Sequence, residues 1–321
     1  MLIFSLCNYS TNFKNNFLEA KFYFIKKKVE LKLLKIKFVK NKILLNIKQA
    51  IFLNIFNNTW KKIKFINLQI KITKINNKIV DNIDGLLKLN IISLKILKPN
   101  CLNLNNLFIN LKNIVWTNIG FYELNDFFIL INKKNISLNQ LIIESIDKIP
   151  FLSKYLVINN VRISNTNRVR LGAYLCSGTT IMSEGYVNFN TFIGKNCMIE
   201  GRVSSGVSVF NNTDIGGSSS IMGTLSGGGN NIISIGDKCL LGANSGIGIS
   251  LGNNCIVEAG LYITSGTKIF FLFNNKKILI KANKLSFKNN IIFFRNSVNG
   301  KVECLKTNFV VKKTNIILHK N

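Results

Sequence analysis

The chain has 321 residues, a net charge of +29, one histidine, seven cysteines and two prolines, a length that allows two or three substructures. Lys or Asn interrupts every apolar run before 18 residues, which argues against a transmembrane helix, and residues 1–10 lack the basic segment and cleavage pattern of a secretory signal. Cys7, Cys101, Cys176, Cys197, Cys239, Cys255 and Cys304 form no close sequence pair and are odd in number, which argues against a disulfide framework and a zinc site and for a reducing compartment, the cytoplasm.

The first substructure runs over residues 1–155. It is so rich in Ile, Asn, Lys and Phe that helix and strand patterns overlap, and it reads as a mixed α/β domain. Its clearest helix candidate is Leu138–Ile149, with Ser137 as N-cap, Gln140 completing a capping box, and apolar Leu138, Leu141, Ile142 and Ile146 on one face. Pro150 then stands where such a helix would stop.

Residues 156–270 carry a different pattern: an aliphatic residue returns every sixth position. The run is Ile163, Val169, Leu175, Ile181, Val187, Ile193 and Ile199. After a slip of four it resumes at Val203, Val209, Ile215 and Ile221, continues past a glycine-rich interruption at Ile235, Leu241 and Ile247, and ends with Leu251, Val257, Ile263 and Ile269. Six residues fit neither the helical period nor strand alternation. They fit a hexapeptide solenoid, in which each unit gives a short strand and a corner, and its aliphatic side chain enters a core that only stacked neighbours close off from water. The expectation is a mainly β chain built on a parallel β-helix. Of the 22 glycines, 19 lie between positions 161 and 270, where corners needing positive φ or close backbone approach recur.

Charge follows the same division. Positions 161–270 hold seven basic and five acidic residues, so nearly all the excess positive charge lies in the flanks as lysine dispersed among Asn and Ile. That distribution reads as a solvated basic surface, not as the clustered stripe that releases counterions from a phosphate backbone. All five arginines, Arg162, Arg168, Arg170, Arg202 and Arg295, fall in or just after the solenoid, where a planar fork can hold carboxylate or phosphate. Residues 271–321 read as a short strand-forming tail.

Three stretches carry a more specific likeness: Val169-Arg170-Leu171-Gly172-Ala173, Glu184-Gly185-Tyr186-Val187-Asn188-Phe189-Asn190, and Glu200-Gly201-Arg202. They continue in Ser220–Gly229, Leu241–Gly246, Val257–Tyr262 and Arg295–Val298. Together these resemble the tetrahydrodipicolinate N-succinyltransferases of the longer, two-domain type, over about residues 147–300. The resemblance implies a left-handed β-helix, a homotrimer with active sites between neighbouring subunits, and succinyl transfer from succinyl-CoA to the amine of ring-opened tetrahydrodipicolinate, a step of lysine and diaminopimelate synthesis. A hexapeptide acyltransferase for another amine or a sugar is the alternative.

The chemistry needs a group that takes the amine proton and donors that stabilise the thioester oxygen as it becomes an oxyanion. The only histidine, His319, lies near the carboxyl terminus, so the base or nucleophile falls to a carboxylate: Glu184, Glu200, Asp214, Asp237 or Glu258. Glu200 matches the family's catalytic position. It can act as a base with its pKa raised by burial, attack the thioester to give an acyl anhydride, or simply pair with Arg202. Arg202 matches a residue that binds succinyl-CoA. Gly217, Ser220, Ala243, Glu258, Ala259 and Gly266 match further acyl-CoA contacts, and Lys281, Arg295, Asn296 and Ser297 match the tail's contribution, although Phe294 stands where the family often has a second arginine. Family members bind magnesium near the threefold axis through an aspartate and a glutamate. Glu184 matches the glutamate, either as a Mg2+ ligand or as a polar trimer contact, while Asn167 stands at the aspartate position and lacks the charge that favours a hard cation.

Overall fold

The structure is a computed structural model that describes residues 2–11, 17–26, 38–39, 42–44, 68–74, 76–118, 120–133, 141–223, 231–273 and 276–306, with side chains from residue 76 onward except 130–133 and 273. The chain divides into two compact units, 1–97 with 101–150, and 98–100 with 151–321. Among the described residues no helix is long and apolar enough to cross a membrane.

The first unit combines two antiparallel sheets with helices. One sheet has the order β2-β1-β5-β4-β3, from β1 (Leu2–Thr11), β2 (Phe17–Lys26), β3 (Phe38–Val39), β4 (Lys42–Leu44) and β5 (Leu68–Lys74). Helix α1 (Asn82–Ser93) is capped by Asp81, whose carboxylate accepts the Asp84 N–H at 2.8 Å. Lys88 of α1 is fully buried. Its Nζ donates to the carbonyls of Asn77 and Asn103 at 2.5 and 2.9 Å and stands 3.9 Å from Asp84, which holds an interior cation in place although burial lowers its pKa. A one-turn helix α2 (Leu107–Asn110), strands β6 (Ile114–Thr117) and β7 (Phe121–Glu123), and helix α3 (Leu124–Lys133) follow.

The expected helix over Leu138–Ile149 is not formed in its second half. Ile143–Asp147 is strand β8, paired antiparallel with β6 in the sheet order β7-β6-β8. Ser137, Leu138 and Gln140, the proposed cap, lie outside the described residues. The β-branched Ile142, Ile143 and Ile146 suit a pleated surface, and the ladder to β6, with the Trp116 indole donating to the Asp147 carbonyl at 3.1 Å, outweighs the helical spacing. Pro150 therefore follows a strand and ends no helix.

The second unit is a parallel β-helix with three faces. Face I holds β10 (Tyr174–Leu175), β13 (Phe192–Ile193), β16 (Ser208–Val209) and β19 (Ser234–Ile235). Face II holds β9 (Arg162–Ile163), β11 (Thr180–Ile181), β14 (Met198–Ile199), β17 (Asp214–Ile215), β20 (Leu240–Leu241) and β22 (Ile256–Val257). Face III holds β12 (Tyr186–Val187), β15 (Arg202–Val203), β18 (Ser220–Ile221), β21 (Gly246–Ile247) and β23 (Tyr262–Ile263). The second residue of each two-residue strand is a periodic aliphatic. From Val169 to Ile269 all of these side chains are buried, at most 2% exposed, each contributing roughly 1.5–3 kcal/mol of apolar burial. Val169 and Leu251 form isolated parallel bridges to Val187 and Ile235, filling strand positions on faces III and I.

Corners repeat a left-handed backbone position, and most are not filled by glycine. Between faces I and II it falls at Gly178, Asn196, Asn212, Lys238, Asn254 and Asn290, with φ between 54 and 79°. Asn tolerates this conformation better than other non-glycine residues, so the chain's Asn richness serves its corners. At the same corner Asn211, Asp237, Asn253 and Asn289 each accept, through Oδ1, the backbone N–H of residue 195, 211, 237 or 253 respectively, one coil back. Inside, Thr179, Cys197, Thr213, Cys239 and Cys255 each donate to a carbonyl of the next coil, that of Gly194, Phe210, Gly236, Gly252 and Lys288. The tail extends face II: β26 (Ile291–Arg295) pairs with β22, and β27 (Val302–Lys306), β24 (Lys268–Phe273) and β25 (Lys276–Lys281) continue outward. Lys98–Asn100 joins this unit through Asn100, which donates to Asn190 Oδ1 and the Gly206 carbonyl at 2.9 Å each.

Burial pushes the Cys197 and Cys304 thiols up to about 12, and the hydrogen bond with Cys255 together with burial pushes Cys239 up as well. Thiolate, the reactive form, is then scarce at these three at neutral pH, whereas Cys255, whose pKa the hydrogen bond with Cys239 lowers, is shielded by its complete burial. Treating the folded protein with a thiol reagent at pH 8 and mapping adducts by mass spectrometry should modify exposed Cys101 first and half-buried Cys176 more slowly, sparing Cys197, Cys239, Cys255 and Cys304 until denaturant is added. Labelling of any of those four at the rate of Cys101 would show that the coils open in the native state.

Candidate active site

The six-residue rhythm breaks once on the corner between faces II and III. Four residues usually separate the strands there, as Gly216–Ser219 and Gly242–Ser245 do, but only Glu200 and Gly201 join β14 to β15. This is the slip of four seen in the sequence. Both backbone N–H groups flanking the short corner stay in the ladder: Glu200 donates to the Ile215 carbonyl at 2.8 Å and Arg202 to that of Ser219 at 2.7 Å. Gly201 is buried, and a Cβ on it would lie 2.3 Å from Ser219 Oγ and 2.6 Å from Ser219 O. Only glycine lets the shortened corner lie against the next coil.

Glu200 is half-buried, and its carboxylate faces the next corner, where Oε2 sits 3.6 Å from the point a Gly217 Cβ would occupy. Among the described residues it has no ion-pair or hydrogen-bond partner, so the structural pairing with Arg202 is absent. Arg202 instead turns to Ser220, one coil on, donating from Nε at 3.2 Å and Nη2 at 2.8 Å to Ser220 Oγ. Nη1 stays available to a ligand, since a guanidinium carries five N–H donors. Ser219 Oγ and Ser245 Oγ, stacked behind the corner, are buried without hydrogen-bond partners.

Further along the same corner come Ala243 and then Glu258 and Ala259, all exposed. They stack closely: a Cβ on Gly216 would lie 2.9 Å from Ala243 N, and one on Gly242 2.4 Å from Ala259 N. The Glu258 carboxylate accepts the Arg295 backbone N–H at 2.6 Å, which fastens the tail to the corner. Arg295 donates to the Gly300 carbonyl, and Asn296 Oδ1 accepts the Val298 N–H, folding the turn that carries Ser297. Glu200, Arg202, Gly217, Ser220, Ala243, Glu258, Ala259, Arg295, Asn296 and Ser297 are thus drawn to one edge and the adjoining face. Gly266 and Lys281 are not. They belong to the other edge of face III, where Ala282 and Asn283 donate to the carbonyls of Thr267 and Ser265.

Asn167 and Glu184 lie on the Glu200 edge, on the preceding coils, and both are exposed. Arg168 donates to the carbonyls of Glu184 and Gly185 at 2.9 and 3.3 Å, a holding role the sequence did not reveal. One charged carboxylate and one amide from a chain do not make an oxygen shell for a hard cation, and among the described residues no group of three His, Cys, Asp or Glu side chains could hold a metal. The donor set does not fit magnesium by itself. The glycine-rich stretch 224–230 and His319 lie outside the described residues. Sequence reading also left Tyr262 without a role, although its ring lies over Gly246 beside Ser220. The stacking of residues 16 to 26 apart was the signal, and it becomes readable only once the coils are aligned.

A parallel β-helix of hexapeptide units bearing a carboxylate and an arginine at one edge defines an acyltransferase of the hexapeptide-repeat class, and residues 232–265 match the family described as the hexapeptide repeat of succinyl-transferase. A 2,3,4,5-tetrahydropyridine-2,6-dicarboxylate N-succinyltransferase of Pseudomonas aeruginosa is 48% identical over 230 residues, covering 71% of this chain and 67% of its own. Its counterpart in Vibrio cholerae is 44% identical over 232 residues, covering 72% and 67%. A Campylobacter jejuni crystal structure described as a 2,3,4,5-tetrahydropyridine-2-carboxylate N-succinyltransferase superposes with a TM-score of 0.83 at 30% identity, covering 97% of this chain and 93% of that one. The chain belongs to the 2,3,4,5-tetrahydropyridine-2,6-dicarboxylate N-succinyltransferase family.

Gly201→Ala should destabilise the protein by roughly 1–3 kcal/mol, the usual cost of forcing an extra methyl into a packed site, read as a lower urea midpoint. An unchanged midpoint would mean that the short corner has room to spare.

Proposed function

We propose that this chain moves a succinyl group from succinyl-CoA to the amine of ring-opened tetrahydrodipicolinate, L-2-amino-6-oxopimelate, in lysine and diaminopimelate synthesis, with Glu200 as the catalytic carboxylate. The observation that carries the reading is the unpaired Glu200 carboxylate beside the open floor of Gly217, two residues from an arginine whose fork keeps donors free. The relatives' names favour this acceptor over another amine or a sugar.

The chemistry follows from the groups present. The neutral amine attacks the thioester carbonyl, the carbonyl oxygen becomes an oxyanion, and collapse forms the amide while the CoA thiolate leaves. As base, Glu200 takes the amine proton and returns it to the departing sulfur. As nucleophile, it takes the succinyl group first, releasing CoA and forming an anhydride that the amine then opens. Arg202 holds a carboxylate or phosphate of the donor through a planar fork, and Ser220 fixes that fork's direction. Gly217, Ala243 and Ala259 keep the edge low so that the acyl-CoA lies close to the backbone. Glu258 places Arg295, Asn296 and Ser297 at the same edge, while Lys281 and Gly266 meet the donor from the far edge of face III. The residues matched to one donor stand on two different edges of face III, and a groove between neighbouring copies would unite them, which supports a homotrimer of left-handed β-helices with shared sites. Glu184 is then a polar contact between copies, and no step uses a metal.

Within this reading, residues 1–155 form the α/β domain, 156–270 the catalytic solenoid and 271–321 the tail. Cysteines that form no disulfide among the described residues and a CoA donor fit the cytoplasm, and neither membrane nor nucleic acid takes part.

An assay for free CoA from succinyl-CoA tests the proposal. Amine-dependent release is expected, and its absence would overturn the proposal. A burst of about one CoA per site without amine marks the anhydride route, and no burst marks the base. Glu200→Gln should lower kcat by roughly 100-fold or more while the assembly keeps its mass, and Arg202→Lys should raise the KM for succinyl-CoA because a point charge replaces a fork. Near-normal turnover in the first variant would remove Glu200 from the mechanism.

A further inference from the structure

We infer that Glu303 is a positioning residue for the acyl-CoA end of the site, acting through Asn296 to set the turn that carries Ser297; this rests on the succinyl-transfer reading above. The turn, residues 295–300, joins β26 to β27, and from Ser297 to Gly300 every residue is exposed, Val298 by 93%. None of these four has a buried side chain to give the turn its shape, so hydrogen bonds set it. Asn296 makes most of them. Its N–H donates to the Lys301 carbonyl at 2.9 Å, its carbonyl accepts the Gly300 N–H at 2.8 Å, and its Oδ1 accepts the Val298 N–H at 3.0 Å. Gly300 closes the turn at a left-handed φ of 68°.

Glu303 decides which way the Asn296 amide faces. It stands in the middle of the tail sheet, paired to Phe270 of β24 on one side and to Phe294 of β26 on the other, and is only 4% exposed. Its Oε1 accepts from Asn296 Nδ2 at 3.2 Å and from Lys277 Nζ at 3.0 Å, and the Lys277 hydrogen bond, foremost, holds its pKa below the usual carboxylate range. An ionised carboxylate only accepts. The amide therefore turns its NH2 group to Glu303 and its oxygen to the turn, where that oxygen meets the Val298 N–H. Between two phenylalanines an apolar residue of similar volume would serve stability equally well, because a buried charge costs its desolvation. What only an acceptor provides is the direction of Asn296. With Glu258 accepting the Arg295 N–H, two carboxylates hold the turn, one at Arg295 and one at Asn296.

Glu303→Leu, Glu303→Gln, Asn296→Ala and the double variant of Glu303→Leu with Asn296→Ala test this in the full-length chain. In Glu303→Leu, amide hydrogen exchange over residues 296–300 should quicken while the solenoid coils keep their protection. The KM for succinyl-CoA should rise about 10-fold, the scale of one lost charge-assisted hydrogen bond, with kcat and the amine KM within about twofold of wild type. Glu303→Gln keeps an oxygen for Asn296 Nδ2 and should stay within about threefold of wild type in donor KM. Because Glu303 acts through Asn296, the double variant should be no worse than Asn296→Ala alone. A merely stabilising carboxylate would lower the active fraction, and so the apparent kcat, leaving KM where it was. Unchanged exchange in the turn of Glu303→Leu, an unchanged donor KM, or additive losses in the double variant overturns the inference. If wild type releases CoA from another acyl-CoA but not from succinyl-CoA, the functional proposal fails, whereas Glu303 is still judged by exchange in the turn and by the KM of that donor.

Discussion

Every feature of the second unit depends on stacking in register. A two-residue strand with one inward aliphatic buries too little surface to hold itself, yet in a parallel coil its N–H and C=O groups pair with the coils on either side and its side chain closes the core of the next. The same constraint that stacks Val187 on Val203 and Ile199 on Ile215 stacks the outward residues with equal fidelity. Polar side chains far apart in sequence are therefore placed one above another at coil spacing, and columns become functional units.

The proposed site is a departure from that regularity. A full corner holds four residues between its strands; the shortened one holds two, Glu200 and Gly201, and it survives because Gly201 admits the backbone and hydroxyl of Ser219. Around it the corner is kept low by Gly217, Ala243 and Ala259, while charge is supplied from the adjoining face and from the tail fastened by Glu258. The interior does the opposite work. Thr179, Cys197, Thr213, Cys239 and Cys255 satisfy carbonyls inside the corner between faces I and II, and the three thiols among them are buried donors, so cysteine here is a small hydrogen-bonding core residue.

Composition bias is absorbed in different ways. Asn supplies left-handed corner positions and the Oδ1 ladder, functions that glycine or aspartate serve equally well, and Asp237 stands in that ladder among asparagines. In the first unit Lys88 is drawn into the interior and made tolerable by two carbonyls and a nearby carboxylate.

The sequence by itself determined the solenoid, because burying one residue in six leaves a period that no helix or ordinary strand shares, and it located the slip at Glu200 because a missing half-corner shifts that period. It also supplied the motifs by which Glu200 and Arg202 were singled out. Tertiary structure decided the neighbours. Tyr186 to Arg202 is 16 residues, Arg202 to Ser220 is 18, Ser220 to Gly246 is 26 and Gly246 to Tyr262 is 16, so lateral contacts depend on corner lengths and an insertion that no fixed spacing describes. Ile143–Asp147 became a strand for a related reason: its own spacing suits a helix, and only the presence of β6 alongside supplies the ladder that outweighs it.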